Sequence, residues 1–151
     1  MDDLLNDVEV FLNSNKAVDK AFSYFKSGAE IELRVGQKNY FTIIKQNTKV
    51  EVLRKQSENK QVAFQFNAEA TRHLLQQSNL NVGDFGVEVL KQYSLGNVQI
   101  KLHCSLIKLI RQGYFNLMRE AGAPFWNHLS QFGIKNMNRL SELIGNLRTS
   151  K

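Results

Sequence analysis

The chain changes its hydrophobic period at Gly28, and that change limits it to a fold that mixes helices with a sheet. Ahead of it, apolar residues recur at helical spacing. Leu4, Leu5, Val8, Phe11 and Leu12 predict an amphipathic helix over Asp2 to Leu12, with acids near its start where they suit the helix dipole. Asn13-Ser14-Asn15 breaks it and offers a cap to the next helix. Val18, Ala21, Phe22 and Phe25 then form one stripe between Lys16 and Lys26, and Gly28 is the expected stop. Beyond it the period is two: Ile31, Leu33 and Val35 alternate with Glu30, Glu32 and Arg34, whose acids read as solvated surface. Gly36-Gln37-Lys38-Asn39 turns into Phe41-Thr42-Ile43-Ile44, and Gln46-Asn47-Thr48 into Val50 and Val52. Ser57-Glu58-Asn59-Lys60 leads to a fourth run, Val62, Phe64 and Phe66. Short connections between alternating runs predict an antiparallel meander with one wet face, the other covered by helices.

The second half continues the mixture. Ala70, Leu74 and Leu75 are the inner face of a helix starting at Ala68, and Val82 to Leu90 reads as a short helix carrying Phe85 and Val89. After Gly96-Asn97 comes a fifth strand, Val98, Ile100 and Leu102 inward. One long helix is expected from Ser105 to about Glu120. Leu106, Ile107, Leu109, Ile110, Tyr114, Leu117 and Met118 cover more than half its surface, which implies contact on two sides. Gly122-Ala123-Pro124 is a break with proline placed for a new helix, whose apolar face is Phe125, Trp126, Leu129 and Phe132. Met137, Leu140, Ile144 and Leu147 predict a last amphipathic helix. The expected fold is α+β: a five-stranded, mostly antiparallel sheet covered on one face by helices. It forms a single domain over 1–151, with a core at 16–120 and a helical extension at 121–151.

Length and composition agree with one domain. The chain has 151 residues, 42% apolar and 23% charged, with a single proline. No apolar run approaches the roughly 20 residues that cross a bilayer. The acidic start Met1-Asp2-Asp3 is unlike a signal peptide, and the lone Cys104 allows no internal disulfide. The expected location is the cytoplasm. The net charge is +6, and from Leu95 onward eight Lys or Arg face two acids, which accounts for the whole excess. Such a basic half suits an anionic membrane, nucleic acid or an acidic partner, or is plain solvated surface. Nucleic acid fits poorly, because the aromatics fall on inward positions and the basic residues are spaced out along helices.

Catalytic patterns are lacking. The glycines are scattered, so there is no phosphate loop, and His73, His103 and His128 have no metal-ligand spacing. Cys104 with His73 or His128 is the one nucleophile pairing to consider, and chance accounts for it better. The expectation is a protein that is not an enzyme and carries neither metal nor cofactor.

What stands out is the surplus of large inward side chains, including Phe41, Phe64, Phe66, Phe85, Tyr114 and Phe115. They either fill a core or line an apolar tunnel between the sheet and the helices around Phe85 and Leu109. Here the order of elements resembles the sterol carrier protein lipid-binding domain, from about Val18 to Leu117. The resemblance is carried by Ile31-Glu32-Leu33-Arg34-Val35 with Phe41-Thr42-Ile43-Ile44, and by Val62-Ala63-Phe64-Gln65-Phe66-Asn67-Ala68-Glu69-Ala70. It is carried again by Leu95-Gly96-Asn97-Val98-Gln99-Ile100-Lys101-Leu102 followed by Ser105-Leu106-Ile107-Lys108-Leu109. It implies non-catalytic binding or transfer of a fatty acyl chain, a sterol or an isoprenoid lipid. The implied tunnel is lined by Phe64, Phe66, Leu74, Phe85, Val89, Ile100, Leu106, Leu109 and Ile110. The chain departs from the family in its tail, and in ending Arg148-Thr149-Ser150-Lys151 rather than on a peroxisomal Ser-Lys-Leu. Similar bacterial domains act as accessory lipid binders in quinone synthesis, so the alternative is a solidly packed accessory factor with a protein partner. In the tail, Phe125, Trp126, Leu129 and Phe132 are expected to close the tunnel mouth while Arg139 and Arg148 face an anionic membrane. The competing expectation is that these helices pack on the domain or form a homodimer contact.

Overall fold

The computed structural model describes residues 2–131. Its elements run α1 (Asp2–Ser14), α2 (Lys16–Ser23), β1 (Glu30–Val35), β2 (Asn39–Gln46), β3 (Lys49–Leu53), β4 (Val62–Phe66), α3 (Ala68–Leu75), α4 (Val82–Ser94), β5 (Val98–Leu102), α5 (Leu106–Arg111), α6 (Tyr114–Glu120) and α7 (Ala123–Ser130). Four of the helices start on a short polar side chain that accepts from the first turn: Asn15, Asn67, Asn81 and Ser105. Each such cap is worth about 1 kcal/mol. The fold is α+β as expected, and the sheet is mostly antiparallel, in the order β3-β2-β1-β4-β5.

One pairing departs from the meander. β4 lies against β1 in parallel, Ile31 opposite Val62 and Val35 opposite Phe66. The chain therefore leaves the edge strand β3 and crosses back over the sheet to start β4 beyond β1. Residues 54–61 make this crossing on the face opposite the helices, and Glu30 and Glu32 hold them. The Ser57 amide donates to Glu32 Oε2 at 2.8 Å, Lys60 Nζ donates to the same oxygen at 3.3 Å, and the Ser57 hydroxyl donates to Glu30. Thr42 Oγ1 adds a bond to the Lys55 carbonyl at 2.7 Å. The two acids are thus anchors for the crossing and not solvated surface; Glu32 is buried.

Gln61 fixes the end of the crossing. It is 3% exposed, and its backbone pairs with Glu30 while its side-chain amide donates to the Gly28 carbonyl at 3.2 Å. Its Oε1 accepts from the Tyr114 hydroxyl at 2.8 Å. The start of β1, the start of β4 and α6 meet at this one side chain. Burial raises the Tyr114 pKa well above the ordinary phenol value, so the hydroxyl remains a donor.

The inner face of the sheet is built by register. Leu33 lies between Phe41 and Phe64, and Ile31 between Ile43 and Val62. β5 brings Val98, Ile100 and Leu102 opposite Phe66, Phe64 and Val62. Lys45 also points to this side, and its Nζ donates to the Phe22 carbonyl at 2.6 Å, closing the end of α2.

The helix expected from Ser105 to Glu120 is broken into α5 and α6. Gly113 sits between them at φ +94°, and a Cβ there would lie 2.1 Å from the Tyr24 carbonyl oxygen. The chain turns because the 24–28 loop packs against it, with the Lys26 amide donating to the Gln112 carbonyl at 2.9 Å. The contact expected on two sides is found in α6, where Tyr114 and Leu117 pack on the main core and Met118 on Phe125 and Leu129, but not in α5, where Ile107 and Ile110 are exposed. α4 is longer than the short helix expected, running on to Ser94 from its Asn81 cap.

Candidate functional site

Between the inner sheet face and the helices lies a cavity of about 380 Å³. β1 supplies its floor through Ile31, Leu33 and Val35, continued by Ile43, Phe64, Phe66 and Ile100 from the neighbouring strands. α1 and α2 form one wall with Phe11, Val18, Ala21 and Phe22; α3 and α4 form another with Leu74, Phe85 and Val89; Leu117 and Met118 of α6 complete it. Thr71 is the polar side chain on this surface, and its hydroxyl is already spent on the Asn67 carbonyl at 2.8 Å. Among the described residues no titratable side chain lines the space.

Several aromatic rings around this space are paired. Phe64 and Phe66 stack at 6.1 Å between centroids, Phe11 stacks on Phe85 at 5.7 Å, and Phe22 meets Phe25 edge-on at 4.9 Å. Rings paired in this way gain about 0.5–1.5 kcal/mol beyond their burial.

Of the nine residues expected to line a tunnel, Phe64, Phe66, Leu74, Phe85, Val89 and Ile100 are on the cavity surface. Leu106, Leu109 and Ile110 are not. The break at Gly113 leaves them on α5, away from the space, with Leu109 buried in the main core and Ile110 turned outward. The α1 and α2 contributions were legible only as helical stripes, with nothing to mark which stripe bounds a void.

Among the tail residues, Phe125 reaches the cavity wall. Trp126 packs edge-on against it at 5.9 Å, and Leu129 is buried beside it with Val87, Leu90, Met118 and Ala121 around them. Phe132, Arg139 and Arg148 lie outside the described residues. Two helix-interior glycines make the seat for this segment. A Cβ on Gly83 would lie 1.8 Å from the Ala121 carbonyl oxygen, and one on Gly86 would lie 2.9 Å from the Phe125 ring. Their spacing of three along α4 is the signal in the sequence, since it puts both on one helix face.

Charged groups stay at the margins. His73 of α3 and Glu88 of α4 meet at 3.1 Å, and Lys91 approaches Glu88 at 3.6 Å. The hydrogen bond from His73, helped by Lys91, holds the Glu88 carboxyl below its ordinary pKa against the opposing effect of burial. The opposite face of the sheet carries a smaller polar hollow of about 190 Å³ bordered by Glu32, Arg34, Tyr40, Gln65, Gln99 and Lys101. Cys104 Sγ lies 3.8 Å from the Gln61 carbonyl. Among the described residues no group of three His, Cys, Asp or Glu is placed to hold a metal ion, and no helix is long and apolar enough to cross a membrane.

No family model matches the chain, and no curated protein matches it. Among solved structures it is similar to a UbiJ-SCP2 ubiquinone synthesis protein, at 16% identity and a TM-score of 0.42, over 75% of this chain and 83% of that one. It is also similar to the sterol carrier protein domain 2 of Helicoverpa armigera, at 18% identity and a TM-score of 0.42, over 80% of this chain and 85% of that one.

Proposed function

We propose that this protein binds an apolar chain, a fatty acyl, sterol-like or isoprenoid lipid, in the space between its sheet and its helices. The observation that carries the reading is the cavity itself: about 380 Å³, bounded by aliphatic and aromatic side chains. Small-molecule sites span roughly 300–1,000 Å³, and an engineered apolar void of about 150 Å³ stays dry and admits benzene. Among the described residues the wall offers no free donor or acceptor for a headgroup, whose burial would cost about 2 kcal/mol or more. The hydrocarbon therefore enters and the polar end stays at the rim. Such binding is non-covalent, and the protein shields or delivers its guest without altering it, in a cytoplasmic setting that suits the lone cysteine. The same cavity counts against the alternative of a solidly packed accessory factor.

The tail has a place in this reading. Phe125 borders the space, so α7 acts as its flap. Native mass spectrometry of the purified protein, followed by solvent extraction, tests the central claim. Adducts of chain-lipid mass that extraction removes are expected. Delipidated protein that takes up neither fluorescent acyl nor isoprenoid probes would overturn it.

A further inference from the structure

We propose that α5 is a docking surface for an anionic lipid layer. It is a short helix with opposed faces. Leu109 is 2% exposed and anchors it to the core, while Ile107 and Ile110 are 60% and 49% exposed. At 3.6 residues per turn the order around the helix is Leu109, Leu106, Ile110, Ile107, Arg111, Lys108, so an apolar ridge runs straight into a cationic one. Single exposed apolar residues are ordinary. Of the other large ones here, Val10 stands on a separate helix, and Tyr93 and Leu95 fall two apart at the end of α4, where they diverge.

The charge pattern names the occupant. Within the described residues neither Lys108 nor Arg111 is in an ion pair, and the chain holds no Asp or Glu between Glu88 and Glu120. The hydrogen bond from the Lys26 amide to Gln112 brings the exposed Lys26 to the same end. A second copy related by two-fold symmetry would set these cations against themselves. Anionic headgroups complement them, and acyl chains take the two isoleucines. The surface is rigid where it needs to be, because Gly113 locks the turn after α5 against Tyr24. It uses none of the cavity wall, so it stands or falls separately from the proposed cargo site.

Vesicle flotation of the full chain tests this, with phosphatidylcholine alone or mixed with phosphatidylglycerol. Binding to the anionic vesicles alone is expected, weakening as salt rises. The double variant Ile107→Glu with Ile110→Glu should lose at least about tenfold in partitioning, with unchanged circular dichroism and unchanged uptake of acyl probes. Lys108→Gln with Arg111→Gln should remove the preference for anionic vesicles. Variants that float like the parent would overturn the proposal, as would a parent that ignores both vesicle types. So would a dimer in analytical ultracentrifugation that the isoleucine variant splits while vesicle binding persists.

Discussion

Ala21 of α2 lies on the cavity wall, and Ala21→Leu separates a hollow interior from a filled one by the sign of its effect. Alanine and leucine are both strong helix formers, so helix propensity contributes little. The change adds three carbons. If they enter empty space, burial contributes about 2.4 kcal/mol at about 0.8 kcal/mol per carbon, less roughly 0.5–1 kcal/mol of rotamer entropy. A net gain of about 1.5 kcal/mol raises Tm by about 3–6 °C in a domain of this size. In a filled interior the same side chain overpacks and costs about 1–3 kcal/mol, lowering Tm instead. A guest that fills the cavity should lose the burial of about three carbons, which weakens its binding about 50-fold. The assay is thermal unfolding of delipidated protein by circular dichroism, paired with displacement of a fluorescent acyl probe. A lower Tm with unchanged probe affinity would refute the reasoning.

Three other outcomes follow from the geometry. Gln61→Ala strands the Tyr114 hydroxyl and unties β1 from β4, so urea unfolding should show a loss of about 2–3 kcal/mol, against well under 1 kcal/mol for the same change at exposed Gln99. Gly113→Ala forces a Cβ into the Tyr24 carbonyl at a left-handed position, where the backbone alone costs about 1–2 kcal/mol; a Tm unchanged within error would show that the α5–α6 turn can relax. The Glu88 contribution is set by pH. Its folded pKa lies below the ordinary 4.5, so its stabilisation is fully present above that value and lost as pH falls through the lower folded one. The stability gap between the parent and Glu88→Gln should therefore close as pH falls below 4.5 and through the lower folded value, and a gap that persists in stronger acid would contradict the lowered carboxyl.

The strands were legible because a period of two sends Ile31, Leu33 and Val35 to one face whatever the neighbours are. The parallel pairing was not, since Glu30 and Glu32 look the same whether they face water or bind a crossing loop. Gly113 reads as a tolerable glycine within a helical stripe, and only the distant Tyr24 makes it a break. For the cavity, spacing told which side chains turn inward. It could not tell Leu109, which meets protein on all sides, from Val89, which faces a space, because that depends on how the elements pack.

Phe125 has two positions at once: it borders the hollow interior, and it rests on the notch left by Gly86. In the proposed binding reading, the hold of α7 on α4 is therefore part of the interior's affinity for a guest. A guest bulky enough to displace that ring must also loosen the segment behind it. By thermodynamic reciprocity, whatever grips the segment from outside changes how tightly the guest is kept. Under the proposed binding, loading and the seating of α7 on α4 form a single equilibrium.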